Sequence, residues 1–231
     1  MKKLIITLAV LALGFASASA QNYDINGIEL SSSPKGIESK LRIAFPMHFG
    51  FSTPLGTDVS GFPETKFTQN FFYGIEPVSI RFSSETSPFM FSIGLRCTFM
   101  DFSLADTHTT FTKIADNKYV LAPITNADYN GKKSKFHGSY VGIPVRFYFT
   151  AGRAKLYAGA SAEYMFHGWT KYKSPKYRED ANGLFNRFRA SAEAGVTYGI
   201  LGLFANYTFT PVLANGLSQA GAISFGLTLG M

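Results

Sequence analysis

The chain has 231 residues, of which 46% are hydrophobic and only 16% are charged, and its formal net charge is +7. Soluble domains usually carry about 25% charged residues, so the composition does not favour an ordinary soluble domain. The positive charge is modest and includes no long basic run, which argues against nucleic acid as a partner. The single cysteine, Cys97, excludes an intramolecular disulfide.

Residues 1–20, MKKLIITLAVLALGFASASA, have the layout of a secretory signal peptide: two lysines, an apolar run and a small-residue cleavage site. The apolar run is shorter than the about 20 residues that a membrane-spanning helix needs. We therefore expect a leader that is removed during export and a mature chain that starts at Gln21. Residues 21–37 are expected to form a short periplasmic segment.

Alternation of apolar and polar side chains predicts β-strands along the rest of the chain. Val145 and Phe147, for example, fall on one face of a segment, and Arg146 falls on the other. Eight segments follow this pattern, at residues 41–51, 71–82, 89–99, 138–149, 156–166, 188–198, 203–209 and 222–231. The alternation of the second segment changes parity at Glu76-Pro77, where a β-bulge would restore one continuous apolar face.

The connections between the eight segments alternate in length. Long connections span 52–67, 103–138, 167–183 and 210–221, and short turns lie near 83–88, 150–154 and 199–202. Bacterial outer-membrane barrels have an even number of strands, short periplasmic turns and longer extracellular loops. We therefore predict an all-β fold over residues 38–231, a closed antiparallel eight-stranded up-and-down transmembrane β-barrel. Closure requires the last strand to pair with the first.

The placement of charge predicts which face of the strands meets lipid. No Lys or Arg falls on the apolar face of any strand, where one would cost about 2–4 kcal/mol at the membrane midplane. A soluble barrel of the lipocalin type would instead turn its apolar face inward and its charges outward. We therefore expect the apolar faces to contact lipid, including those of Phe225, Leu227 and Met231 in the last strand.

The charged residues of the opposite faces are predicted to meet in the lumen. They are Arg42, Arg96, Arg146, Glu163, Arg187, Arg189 and Glu193. Side chains can fill an eight-stranded barrel completely, so these charges should pair with one another and plug the interior. The alternative is a narrow channel, which would prefer anions because, with Arg81 and Glu76 added, six arginines and only three glutamates fall on the polar faces.

Several segments resemble a known family. The segments YVGIPVRFYF (140–149), KLYAGASAEYMF (155–166) and GVTYGILGLFANYTFTPVLANG (195–216) resemble the small outer-membrane barrels of Bacteroidetes, the PorT-like or "porin family" proteins. The end of the chain resembles the insertion signal of bacterial outer-membrane proteins, with Met231 in place of the usual Phe. The resemblance implies insertion by the outer-membrane assembly machinery and, for some members, a part in secretion systems.

Two groups of residues outside the lumen are candidates for binding or chemistry. Loop lysines are expected to contact the phosphates of lipopolysaccharide, with ordinary solvated charge as the alternative; they are Lys132, Lys133, Lys135, Lys171, Lys173 and Lys176. His137 and Ser139 resemble the His-x-Ser pair of outer-membrane lipid A deacylases. A serine nucleophile also needs an acid that orients its base, and the following strand offers none because Glu163 points inward.

We therefore expect no enzymatic activity, no cofactor and no metal, since the four histidines show no metal-ligand spacing. The expected function is structural or interaction-based, in secretion or in the cell envelope. The expected partners are outer-membrane lipid, lipopolysaccharide and an envelope protein of unknown identity. The narrow anion-preferring channel and, less favoured, a lipid A-modifying hydrolase stay open as alternatives.

Overall fold

A computed structural model describes residues 39–55, 61–84, 87–214 and 216–231. The predicted signal peptide and the segment 21–37 lie outside the described residues. Within the described ranges, no helix has both the length and the apolar character required to cross a membrane.

The described residues form twelve strands and two short 3-10 helices. The strands are β1 (Ser39–Ala44), β2 (Met47–Leu55), β3 (Phe71–Ser84), β4 (Phe89–Ser103), β5 (Thr109–Ala115), β6 (Lys118–Pro123), β7 (Lys133–Ala151), β8 (Ala154–Lys173), β9 (Tyr177–Asp180), β10 (Phe188–Tyr198), β11 (Leu201–Thr208) and β12 (Gly221–Leu229). The 3-10 helices span Phe67–Gln69 and Asn182–Leu184. β1 and β2 are two parts of one barrel strand, since both pair with β3.

The sheet closes on itself into an antiparallel barrel, as the sequence predicts. Around the barrel the order is β1/β2, β3, β4, β7, β8, β10, β11 and β12, and β12 pairs with β2 to close the seam. Gly226 lies directly opposite Gly50 in the seam. A Cβ atom on Gly226 would lie 2.1 Å from the carbonyl oxygen of Phe49, so the close approach of the two strands requires glycine at position 226.

The bulge predicted in the second segment is confirmed. The register between β3 and β4 shifts between Ile75 and Val78, so Glu76 and Pro77 together lie opposite the single residue Arg96. Pro77 has no N–H to donate to the ladder, and a bulge tolerates that loss.

The long connections contain strands that the periodicity does not predict. β5 and β6 form a separate hairpin within residues 103–138, and β9 pairs with the outer part of β8. β7 and β8 are the longest strands and continue well past the predicted segments. The barrel wall is therefore tallest at β7 and β8, at the end that carries the long connections.

Exposure follows the predicted inside-out pattern. Phe147 is 64% exposed, whereas its chain neighbour Arg146 is fully buried. We call the outward apolar surface the apolar belt; its most exposed members include Phe89, Ile143, Phe147, Leu156, Leu203 and Leu227. Along β7 the belt runs from Val141 to Phe149, and with a rise of about 3.4 Å per residue and a tilt of about 40° it is roughly 20 Å tall.

The inside of the barrel is filled at both ends. At the short-turn end, Tyr148 is buried and its hydroxyl contacts Met231 Sδ at 3.7 Å. The prediction that Met231 faces lipid is therefore wrong, because Gly230 has a φ of 76° and reverses the alternation before the last residue. At the long-loop end, an aromatic cluster closes the mouth; it consists of Phe62, Phe102, Phe111, Phe136 and Phe185.

Candidate functional site

The middle of the lumen holds a continuous network of ionised side chains. Arg146 donates to Glu76 Oε2 at 2.8 Å and also binds Glu193. Arg96 joins Glu193 to Glu163, with a 3.0 Å bond from its Nε to Glu163 Oε1. Arg189 also binds Glu163 and ends the row. The charges alternate in sign along the whole row, so each arginine lies beside at least one carboxylate.

The ion pairs of the network are buried, so the stability of the barrel depends on each charge having a partner. The side chains of Arg96, Arg146, Glu76 and Glu163 are at most 1% exposed. A buried charge without a partner is strongly destabilising, and here three arginines face three glutamates. The network therefore carries no excess positive charge, and the predicted excess of six arginines over three glutamates is wrong for the middle of the lumen.

The predicted lumen residues are only partly brought together. Arg96, Arg146, Glu163, Arg189 and Glu193 belong to the network, and the side chain of Arg42 lies outside the described residues. Arg187 is exposed and lines an open cleft of about 650 Å³ beside the mouth, because it precedes β10 and does not share its alternation.

Two buried residues of the lumen were missing from the predicted set: Glu76, a member of the network, and His48, which lies beside it. Glu76 binds Arg146, and His48 Nε2 lies 3.3 Å from Glu76 Oε1. Both residues fall on the polar face of their segments, so parity alone was enough to place them in the lumen. The bulge after Ile75 provides the local reason for Glu76, since it lets β3 keep its apolar side chains outward on both sides of the glutamate.

A second site lies on the outer wall just beyond the apolar belt. Lys133 lies opposite Lys173, Lys135 lies opposite Lys171, and Lys171 lies opposite Arg178 on β9. These five residues are defined as the basic patch. Lys133, Lys135, Lys171 and Lys173 line one pocket. Like charges directly opposite each other on a sheet destabilise it, so the patch accumulates repulsion that an anion would relieve.

The remaining predicted lysines lie at the edge of this site. Lys132 precedes β7 and Lys176 lies in the turn between β8 and β9, and both are exposed. Four of the six predicted lysines therefore share one surface, and they lie on extended strands instead of loops. Arg178 was not among the predicted lipopolysaccharide contacts, although it lies in the same basic stretch of sequence.

Trp169 lies within the basic patch and is the only tryptophan of the chain. Its ring stacks on His137 with a centroid distance of 4.7 Å. Lys135 Nζ lies 5.1 Å and Arg178 Cζ lies 4.8 Å from the ring centroid. Both distances are in the range of cation–π contacts, so the indole holds two cations on the outer wall.

The pKa values of two lysines in the basic patch reflect the same crowding of positive charges. Partial burial and then the charges of Lys135, Lys176 and Arg178 lower the pKa of Lys171. Partial burial and the charge of Lys135 also lower the pKa of Lys133. Among the described residues, no carboxylate lies within 4.0 Å of the ammonium groups of Lys133, Lys171 or Lys173. The patch is therefore short of negative charge.

A chain of hydrogen bonds borders the basic patch on its β4 side. His137 Nδ1 lies 2.6 Å from Asp101 Oδ1, and His137 Nε2 lies 2.7 Å from Ser139 Oγ. Asp101 faces His137 in the register between β4 and β7. The acid that we expected to be missing is therefore present, on the strand that precedes His137 and not on the strand that follows it.

Comparisons with known proteins find a similarity to solved structures and to no family. No family model and no curated protein matches the chain. Among solved structures, the crystal structure of Neisserial surface protein A (NspA) is similar, with a TM-score of 0.39 and 10% sequence identity. The alignment covers 83% of this chain and 99% of that chain.

Within the described residues, no three His, Cys, Asp or Glu side chains are grouped so that they could hold a metal ion.

Proposed function

We propose that the chain is a small integral outer-membrane barrel with a plugged lumen, which acts as a structural or interaction component anchored to lipopolysaccharide. The apolar belt supports a position in lipid, because a continuous ring of exposed Phe, Ile and Leu side chains would be unfavourable in water. Residues 1–20 would export the chain, and the outer-membrane assembly machinery would insert it. Membership of the PorT-like family is part of the same proposal.

The basic patch is the observation that carries the lipopolysaccharide assignment. It begins at the level where the apolar belt ends, so the hydrocarbon and headgroup regions of one lipid would meet the belt and the patch together. Lys133, Lys171 and Lys173 have no carboxylate partner among the described residues, and clustered cations suit the phosphates of anionic lipids. Trp169 belongs at the same level, since indole rings favour the membrane interface.

The filled lumen favours this proposal over the anion-preferring channel. The network of Glu76, Arg146, Glu193, Arg96, Glu163 and Arg189 is balanced in charge and buried. The aromatic cluster above it and the Tyr148–Met231 contact below it occupy the two ends. An ion that entered would have to displace paired charges from a dry interior, which is costly.

Fluorescence of Trp169 tests the proposed lipid contact directly. The refolded full-length mature protein in neutral phosphatidylcholine nanodiscs would be titrated with lipopolysaccharide, and the emission of the single tryptophan recorded. We expect a saturable change that weakens at high salt, because the contact is electrostatic. The double variant Lys133→Gln/Lys171→Gln should weaken binding by about tenfold or more, since each charge-assisted contact contributes about 1 kcal/mol.

The hairpin formed by β5 and β6 offers a matched control. The double variant Lys113→Gln/Lys118→Gln removes the same charge from exposed positions on a separate two-stranded sheet, and it should bind like the unmodified protein. Equal weakening by both double variants, or no fluorescence change at all, would contradict the proposal.

A further inference from the structure

We propose that Ser139 and His137, with Asp101 as the positioning residue, form a site that cleaves an acyl ester of a phosphate-bearing lipid. The substrate class rests on the proposed function, because the basic patch would bring that lipid to the site. The proposal departs from the expectation that the protein has no enzymatic activity.

The geometry matches the requirements of a nucleophilic serine. One ring nitrogen of His137 lies within hydrogen-bond distance of the serine hydroxyl, and the other lies within that distance of a carboxylate. Such an arrangement lets the imidazole accept the serine proton while the acid fixes its tautomer and supports the positive charge that forms. All three side chains come from two paired strands of a closed barrel, which is a rigid support.

The imidazole is held from several sides. Trp169 stacks on it at 4.7 Å and Phe99 lies on it at a ring-centroid distance of 6.3 Å. Lys135 donates a 2.6 Å hydrogen bond to Asp101 Oδ2, the oxygen that His137 does not use. These contacts fix the acid and the ring before any substrate arrives, as preorganised catalysis requires.

The position of Ser139 on the wall indicates the kind of bond that it would attack. Ser139 lies on the outward face, one outward position beyond Val141 at the edge of the apolar belt, and the basic patch continues beyond it. In a membrane lipid, the ester joins the acyl chain to the polar headgroup and so lies at this same boundary. A lipid whose phosphate occupies the patch would bring its ester to the height of Ser139.

The reaction uses only the ester and water. Ser139 Oγ would bond to the carbonyl carbon while its proton passes to His137 Nε2. The bond to the alcohol oxygen would then break, and His137 would return the proton to that oxygen. Water would hydrolyse the acyl-serine by the same route and release a fatty acid. Arg178 donates a 2.8 Å hydrogen bond to His167, which lies opposite Ser139, and is the cation that we expect to stabilise the developing oxyanion.

Neighbouring side chains cover Ser139. Its residue is only 3% exposed although it faces outward, and Phe99 lies directly opposite it in the register. Phe166 packs edge-on against Phe99. An acyl chain would have to move the Phe99 ring to reach the hydroxyl, and an apolar chain can replace the contacts that the ring loses. Removing the ring should therefore raise the reactivity of Ser139.

Labelling with a fluorophosphonate probe tests the nucleophile without any lipid. The refolded full-length mature protein in neutral detergent should be labelled at Ser139, and Phe99→Ala should be labelled several-fold faster. Ser139→Ala should abolish labelling, and His137→Gln should slow it by about 100-fold. Ser134→Ala is the matched control, because Ser134 is on the same strand but points inward and is buried, and labelling of that variant should be unchanged.

The positioning role of Asp101 needs a test that a merely structural role would not pass. Asp101→Asn should slow labelling strongly, and Asp101→Glu should recover part of the rate, because a carboxylate again accepts from His137. Equal loss in both variants would contradict the positioning role. Heat-modifiable gel migration would establish that each variant has formed the barrel. No labelling of either the unmodified protein or Phe99→Ala would overturn the proposal.

Mass spectrometry of lipopolysaccharide after incubation in nanodiscs tests the substrate class. Loss of one acyl chain with the unmodified protein, but not with Ser139→Ala, would support it. If the fluorophosphonate probe labels Ser139 but the lipopolysaccharide keeps all of its acyl chains, the substrate assignment is overturned. Saturable binding seen by Trp169 without any labelling would overturn the catalytic proposal and leave the proposed function standing, so the two failures are distinguishable.

Discussion

Arg146 and Glu76 form a hydrogen-bonded ion pair across the lumen, from β7 to β3, with β4 between them in the barrel wall. The two residues are 70 positions apart in the chain. Their pairing shows that the polar faces of separate segments share one interior, which periodicity implies but cannot place in three dimensions.

Replacement of Arg146 should destabilise the barrel strongly. Arg146→Met would leave Glu76 and Glu193 without their common partner, and breaking a buried pair from one side costs about 3–5 kcal/mol. We expect that loss in the free energy of unfolding, measured by urea titration of the protein in lipid vesicles. Arg187→Met is the control, because Arg187 is exposed, and its effect should stay within about 0.5 kcal/mol. Similar losses for both variants would count against the network as a structural element.

The barrel should not conduct ions. Planar bilayer recordings of the refolded protein are expected to show no steady current, because the lumen is filled and its charges are paired. A stable current that favours anions, and that changes when Arg189 is replaced by Gln, would revive the channel alternative.

The seam should not tolerate a side chain at position 226. Gly226→Val would place its Cβ against the backbone of Phe49, so β12 and β2 would have to separate. We expect the variant to lose heat-modifiable gel migration, which reports the closed barrel. Thr228→Val is the matched control in the same strand, since it keeps the size of the side chain. Normal migration of Gly226→Val would show that the seam is looser than described.

Low pH should remove the stability that Asp101 contributes beside the basic patch. Burial by itself would raise the pKa of Asp101, but the hydrogen bond of His137 and the charge of Lys135 outweigh it, and the pKa is lowered. A carboxylate with a lowered folded pKa contributes stability above its unfolded pKa and loses it as the pH falls through the folded value.

The melting temperature should report that loss. Asp101→Asn lacks the carboxylate at every pH, so the difference in melting temperature from the unmodified protein should be largest near neutral pH. We expect the difference to shrink as the pH is lowered from about 5 towards 2. A difference that is constant over this range would show that the Asp101 charge does not contribute.

Periodicity was sufficient for the barrel because alternate residues of each strand meet opposite surroundings, the exposed apolar belt and the polar lumen. The eight segments, the bulge at Glu76-Pro77 and the closing strand pair were all predictable for that reason. The same rule failed at the chain end, where the φ of Gly230 reverses the alternation, and at Arg187, which lies just outside a strand.

The outer-wall site was harder to predict, because it depends on which strands are neighbours and how far they extend. Asp101 lies beyond the predicted segment 89–99, and its approach to His137 requires the register between β4 and β7. The alignment of Lys135 with Lys171, and of Lys171 with Arg178, likewise follows from strand pairs that composition does not reveal.

The ion-pair network also bears on how the protein folds. Its six members come from five strands, β3, β4, β7, β8 and β10, and four of its five hydrogen-bonded pairs join strands that are not neighbours in the barrel. Contacts this distant along the chain form slowly, because the intervening segments must first be ordered. A half-assembled sheet would carry bare arginines and glutamates towards hydrocarbon, which strongly disfavours such an intermediate. We therefore expect folding and insertion into a membrane to form one cooperative event.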